Sequence, residues 1–447
     1  MSSTRALEPE IHEVGRAIAE AMPSRARHPL RALDAKAMEL SAQDQALKAA
    51  LFRLVDVTPA CRSFEDLAFH LTGFLAEVNE RPAPIEAAMR VAHTHAGRAV
   101  LGAAASRGVR HMAHRFIVGE TPGEALPTFE RLWRDGVASS VDLLGEATIT
   151  RAEADRYAER CATALSALTA AGAGWPVRET LERDVHGPLP RANLSVKVSA
   201  LTPLMRADAP HLGAEDAAGR LRPLLRQARD SGAHLHVDME SLDTLEATMD
   251  LVFALLGEEE FRAGPSAGVV LQAYLREAPA ICERILGWAE ASRRETPLTV
   301  RIVKGAYWDH ELVEARQKGW ASPVWEDKAE CDRTFEALTR RLLDAREHVR
   351  VAVASHNVRS VAHAVVCNRE AGGEDRDLEL QVLRGLGDEL QHALAALGFR
   401  VRAYCPVGDL VAGMAYLVRR LLENTANDSF LSAQQGGAEL DQLLAAP

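Results

Sequence analysis

The chain has 447 residues, 47% hydrophobic and 26% charged, which matches an ordinary globular protein and excludes disorder and fibrous repeats. Lys and Arg total 52 against 63 Asp and Glu, a net charge of -11, so the surface as a whole has little attraction for nucleic acid or anionic lipid. The six cysteines show no CxxC spacing, against a structural zinc cluster or a disulfide framework, and a reducing cytoplasm is the expected setting.

The opening MSSTRALEPEIHEV has no apolar signal core, and no string approaches the ~18 apolar residues of a membrane span. Residues 1–135 read as helix after helix, with apolar positions three and four apart in SFEDLAFHLTGFLAEV and PIEAAMRVAHTHAGRAVLGAAASRGV. Pro and Gly punctuate these blocks at ERPAP and ETPGEALP. This predicts an all-α module. His93, His95, His111 and His114 have ligand-like spacing within it but read as structural or exposed.

From residue 136 to 432 short apolar runs alternate with helical segments. Eight such runs occur: SSVDLLGEA, LSVKVSA, HLHVDME, GVVLQAY, LTVRIVKGAYW, VRVAVASHN, LELQVLRG and FRVRAYCPVG. Strand and helix repeated eight times predict an α/β protein, a parallel (βα)8 TIM-like barrel preceded by the helical module. A doubly wound open sheet is the competitor, and it would want a GxGxxG turn after its first strand, which is missing. Gly385 to Gly387 reads as a strand-to-helix turn. Residues 433–447 read as a tail, a final helix or a frayed end.

Strand parity locates the chemistry, because alternate side chains face the barrel interior. In LSVKVSA the polar face is Ser195, Lys197 and Ser199; in HLHVDME it is His234, His236 and Asp238. The same parity turns Gln272, Arg301, His356, Arg402 and Tyr404 inward. Single strand charges are mostly partnered structural groups, but a ring of them at one mouth implies a ligand that uses them. After strand 8, AYLVRRLLEN sets Tyr416, Arg419, Arg420 and Glu423 on about one 100° arc of a helix. Two neighbouring guanidinium groups suit a carboxylate. The pocket is therefore expected to hold a small carboxylate; the reaction stays open at this level.

The ordered strings DLLGEA, LSVKVSAL, HVDMES, VVLQAYLRE, VRIVKGAYWDHE, ASHN, LELQVLRGLGDEL and YCPVGDLVAGMAYLVRRLLEN resemble the proline dehydrogenase family, in particular the proline dehydrogenase half of the bifunctional proline utilisation flavoproteins. VDVTPACRS is similar to their helical region. The resemblance implies that FAD lies over the barrel mouth, that L-proline stacks on it, and that hydride passes to flavin N5 to give 1-pyrroline-5-carboxylate. It implies that Arg419 and Arg420 clamp the substrate carboxylate with help from Lys197, that Tyr404 and Tyr416 wall the ring, and that Glu423 pairs with the arginines. Asp238 and Arg301 match active-site residues, and together with Lys197 are the catalytic candidates. Met239, Gln272, Arg301, Lys304, Gly305, Ala306, Ser355 and His356 match FAD contacts; Ser355 stands where relatives commonly have Thr. The tyrosine at 404, where hydroxyproline-oxidising members tend to have a smaller residue, points to L-proline.

Neither an aldehyde dehydrogenase half nor a DNA-binding segment is recognisable, so the second oxidation is expected on a separate 1-pyrroline-5-carboxylate dehydrogenase, unless the chain is a piece of a longer bifunctional protein. Family habit implies a quinone acceptor reached by peripheral contact at the inner face of the membrane, with no nucleic-acid partner. Two other readings compete. A metal-dependent hydrolase would use His234 and His236, with Asp238 following and His356 as a further ligand, yet the surrounding Lys197 and Arg301 oppose a cation, and no metal is expected. A scaffold with a decayed site would not retain Lys197, Asp238, Tyr404 and the arginine pair.

Overall fold

The computed structural model describes residues 2–23, 45–78, 83–92, 94–145, 148–409, 413 and 439–447. Its centre is a closed barrel of eight strands: β1 Val137–Leu143, β2 Asn193–Val196, β3 His234–Val237, β4 Ser266–Gln272, β5 Leu298–Val303, β6 Val349–Ala354, β7 Glu379–Leu383 and β8 Arg400–Val407. All neighbours pair in parallel and β1 closes the cylinder by pairing with both β8 and β2. Helices follow the strands because the alternation returns the chain to the same end each time. Helix Arg151–Gly172 opens with a reciprocal Thr150–Glu153 capping box, and helix Pro210–Ser231 ends on Gly232 in the left-handed region, the residue that region favours.

Outward strand residues such as Val141, Leu194, Leu235, Val269, Val300 and Val351 are buried beneath the helices. The inward set is polar and arranged in tiers. At the N-terminal end, the short hairpin Arg183–Asp184 with Gly187–Pro188 inserts Asp184 between two strand arginines. Arg350 Nε donates to its Oδ2 at 2.8 Å and Arg400 Nη1 to the same oxygen at 3.1 Å. One tier up, Arg402 grips Glu379 with two bonds of 2.9 Å, through Nε and Nη2. Beside them His234 Nε2 meets His236 Nδ1 at 3.1 Å.

Helix Ser2–Ala21 lies on helices Val358–Glu370 and Asp388–Ala396. Buried Arg359 donates both to Glu8 of that helix and to Glu336, and reaches the backbone oxygen of Leu444 as well. The tail is thus docked rather than frayed where it is described: helix Leu440–Leu443 precedes a fully buried Leu444. Helices Gln45–Val57, Phe64–Ala76, Ala83–Val91 and His95–Phe116 form a separate small core around Leu54, Leu67, Leu71 and Leu75. His95 there meets Glu65 at 2.9 Å.

Two expectations need correction. LSVKVSA is not strand throughout: β2 ends at Val196 and Val198–Leu201 turns into a helix, so Ser199 faces Glu240 from that turn and not from a strand. Arg402 does not stand at the mouth with Tyr404; two residues earlier on β8, it lies one tier deeper and is consumed by Glu379. Among the described residues no helix is long and apolar enough to cross a membrane.

Candidate active site

The C-terminal ends of the strands surround a cleft of about 370 Å³. At its floor Asp238, just past β3, collects four partners. Ser195 Oγ and Arg301 Nη1 each donate to Oδ1 at 2.7 Å, Tyr404 Oη donates to Oδ2 at 2.7 Å, and Lys197 Nζ stands 3.6 Å from Oδ2. Lys197 also bonds Asp142 at the end of β1. Arg301 lies over the Tyr404 ring, 5.2 Å from its centre. Register explains the convergence, since Asp142 pairs with Ser195, Ser195 with His236, and Ser140 with Tyr404 across adjacent strands.

Burial alone would raise the Asp238 carboxyl, but the charges of Lys197 and Arg301 and the bonds from Tyr404 and Ser195 outweigh it and hold its pKa below the ordinary value. Burial likewise opposes the Lys197 ammonium, and Asp142 and Asp238 more than offset this and raise its pKa. Tyr404 is pushed well above the usual phenol range, by burial first and by Asp142 and Asp238 next, so its proton stays on as a donor. The floor is therefore a fixed set of charges: an anion at Asp238, cations at Lys197 and Arg301.

The same cleft is lined by Met239, Gln272, Lys304, Gly305, Ala306, Ser355 and His356. Gln272 Nε2 donates to the backbone oxygen of Glu240 at 3.1 Å, while its buried Oε1 has no protein partner. Lys304 pairs with Asp332, which also takes Lys328 at 2.8 Å. Gly305 has φ +141, and a Cβ there would overlap the Tyr274 ring, so only glycine suits this turn. Ser355 Oγ accepts from Asn357 N at 3.1 Å, and His356 Nε2 accepts from Leu383 N at 2.9 Å. That bond occupies His356 Nε2, so this nitrogen is not offered to a metal beside His234 and His236. Burial and Arg402 lower His234 to about 3, and His236 is lowered too, chiefly by burial and Arg301; the pair is neutral and engaged with itself.

Strand parity brought Lys197, Asp238, Arg301, Gln272 and Tyr404 together as expected. Tyr416, Arg419, Arg420 and Glu423 lie outside the described residues. Three charged lining residues escaped the sequence reading: Asp142, Glu240 and Lys328. Asp142 alternates with Val141 and Leu143 in β1, the same signal used on the other strands. Glu240 stands two residues beyond Asp238, and burial raises its pKa despite bonds from Ser199. Lys328 sits in a helix far along the chain and leaves no local signal.

A (βα)8 barrel with a desolvated constellation of paired charges at its C-terminal mouth is the architecture of a small-molecule enzyme. Residues 125–433 match the proline dehydrogenase family, and residues 8–116 match the proline utilization A N-terminal domain. The chain belongs to the proline dehydrogenase family of oxidoreductases. It is 33% identical over 350 residues to the bifunctional protein PutA of Escherichia coli (strain K12), covering 76% of this chain and 25% of that one. It is 29% identical over 321 residues to a proline dehydrogenase of Deinococcus radiodurans, covering 72% of this chain and 89% of the relative. The crystal structure of PutA from Bdellovibrio bacteriovorus inactivated by N-propargylglycine superposes with a TM-score of 0.90 at 33% identity, over 99% of this chain and 44% of that one. The chain thus spans about a quarter of the length of the E. coli PutA.

Proposed function

We propose that the chain oxidises L-proline to 1-pyrroline-5-carboxylate with bound FAD and passes the electrons to a quinone-type acceptor, the first step of proline catabolism to glutamate. The observation that supports this most is that one cleft holds both the fixed charges around Asp238 and a separate wall suited to a flavin. The wall fits the cofactor on three counts. Gln272 offers an unpartnered buried oxygen to a polar ring edge, the glycine at 305 keeps the Lys304–Ala306 turn free of side-chain bulk, and the basic groups Lys304 and Arg301 suit an anion. Met239, Gln272, Arg301, Lys304, Gly305, Ala306, Ser355 and His356 would hold FAD, which when bound supplies the two-electron oxidant.

The chain's own groups bind and orient. Lys197 brings positive charge toward the substrate carboxylate, with Arg419 and Arg420 as the proposed clamp and Glu423 as their partner. Tyr404 and Tyr416 wall the ring. Asp238 is ionised and anchored by its donors, so it fixes Arg301, Lys197 and Tyr404 in place before substrate enters. In the reaction the ring carbon next to nitrogen gives up a hydride and the nitrogen a proton, which leaves the C=N double bond of the product.

The downstream oxidation falls to a 1-pyrroline-5-carboxylate dehydrogenase, on a separate polypeptide or on the rest of a longer chain. The quinone is reached by peripheral membrane contact from the cytoplasmic side. An anaerobic titration with L-proline tests the proposal: the oxidised flavin spectrum should bleach in proportion to proline added. A yellow protein whose spectrum does not respond, or a protein that takes up no flavin, would overturn it.

A further inference from the structure

The helical module contains a second constellation, remote in sequence from the barrel mouth. Cys61 follows the short turn Thr58–Ala60 in extended conformation, and Ser63 then caps helix Phe64–Ala76. Asp66 and His70 fall one turn apart on that helix, the i, i+4 spacing that lets two side chains on one face share a metal. The thiol sulfur, a carboxylate oxygen and an imidazole nitrogen all lie within 4.8 Å of one another. Of the six cysteines, Cys61 is the one that is not buried.

We propose that Cys61, Asp66 and His70 bind a zinc-class divalent cation. A tetrahedral zinc ion with bonds of about 2.0–2.3 Å holds its donors about 3.3–3.8 Å apart. His70 Nε2 already stands 3.7 Å from Asp66 Oδ1, so closing the set needs side-chain movements of only about 1 Å by the same geometry. The carboxylate is held for the task, because its other oxygen, Oδ2, accepts from Arg62 N at 3.0 Å. The imidazole is flanked by the Phe69 and Phe74 rings at 5.7 and 5.9 Å, which limit its rotation. The Cys61 thiol now makes one weak bond, to Val57 O at 3.4 Å, that a metal bond readily replaces.

Sulfur and nitrogen in the donor set select zinc or cobalt over magnesium or calcium. All three residues are half-buried, so the fourth position is open to water. The nearby cation Arg53 is paired with Glu77 at 2.5 Å and leaves the negative charge of Asp66 for the metal, which Cys61 joins as a thiolate by releasing its proton to water on binding. The site ties the turn after helix Gln45–Val57 to the start of the next helix. It differs from the zinc cluster excluded by cysteine spacing in using a single cysteine.

The test is a cobalt titration of the flavin-loaded full chain, after treatment with a chelator, followed as difference spectra. One equivalent should produce a near-ultraviolet thiolate-to-cobalt charge-transfer band together with tetrahedral bands at wavelengths beyond flavin absorption, and one equivalent of zinc should abolish both. Cys61→Ser should eliminate the charge-transfer band, and His70→Ala should weaken cobalt binding about tenfold or more, with proline oxidation unchanged in both. Absence of the band at saturating cobalt, or its persistence in Cys61→Ser, overturns the proposal.

Discussion

The Tyr404 hydroxyl donates to Asp238 Oδ2 at 2.7 Å while Arg301, bonded to the other oxygen, lies across the Tyr404 ring. One side chain therefore donates to an anion and, in the proposed function, also walls the substrate ring, and the two can be separated by mutation. Tyr404→Phe keeps the wall and loses a bond to a charged acceptor, a cost of about 2 kcal/mol, to be read as a lower denaturation midpoint. Tyr404→Ser removes the wall as well, and the ratio of kcat/KM for hydroxyproline to that for L-proline should rise. An unchanged ratio would refute ring packing.

Lys197 is held between Asp142 and Asp238. Lys197→Met leaves two buried carboxylates short of their cation, and losing one member of a buried pair costs about 3 kcal/mol. KM for L-proline should rise more than kcat falls, because in the proposed function the ammonium acts on the substrate carboxylate in both ground and transition states. Steady-state kinetics beside urea denaturation separates the two effects. An unaltered KM in a folded variant would remove Lys197 from the carboxylate site.

How much of this was legible beforehand depends on the range of the signal. Alternation along a strand is local and geometric, so LSVKVSA, HLHVDME and FRVRAYC disclosed which side chains turn inward. Depth in the barrel is not local. Arg402 and Tyr404 share a face, yet which of them reaches the mouth follows from the register between β7 and β8, where Gln381 pairs with Arg402 and Leu383 with Tyr404. The ion-pair partners were equally hidden: Asp184 lies in a hairpin 166 residues before Arg350, and no spacing rule connects them. The end of β2 was misjudged because the apolar alternation of LSVKVSA continues through Val198 although the backbone has already turned into a helix.

At Gly305 a positive φ and the Tyr274 ring act together. Gly305→Ala strains the backbone by about 1–3 kcal/mol and forces the ring aside in the wall assigned to the cofactor. The variant should retain its circular dichroism spectrum but bind FAD about fivefold or more weakly, as a strain of that size implies. Flavin release measured by equilibrium dialysis checks this; tight flavin retention would show that the turn does not approach the cofactor.

Three buried histidines set the response to mild acid. Burial lowers His234 to about 3 and His363 to about 4, and His236 is lowered as well. Between those values and about 6.5 the unfolded chain takes up protons that the folded chain refuses, so stability falls as pH falls through this window. Asp238 and Glu379 have lowered pKa values, so their contribution is intact above about 4 and is lost only in stronger acid. Moving from pH 7.5 to 5.5 should therefore remove about 1.4 kcal/mol for each histidine. Urea midpoints at the two pH values test this, and equal midpoints would mean that these imidazoles are solvated.

The barrel base offers the complementary case, a charge cluster concerned with stability rather than binding. Asp184 is 5% exposed and is shared by Arg350 and Arg400 at the opposite end from the cleft. Burial would raise its carboxyl, but the two arginines lower it overall, so it is a fixed anion that neutralises two strand cations. Asp184→Ala leaves both guanidinium groups buried without that anion and should destabilise the fold by about 3–5 kcal/mol. The hairpin that carries Asp184 would lose its anchor and should become more accessible to protease. KM for L-proline should stay within about twofold of wild type, because the cost is to the folded state and not to the mouth. A large rise in KM with unchanged stability would instead mean that the base controls the geometry of the site.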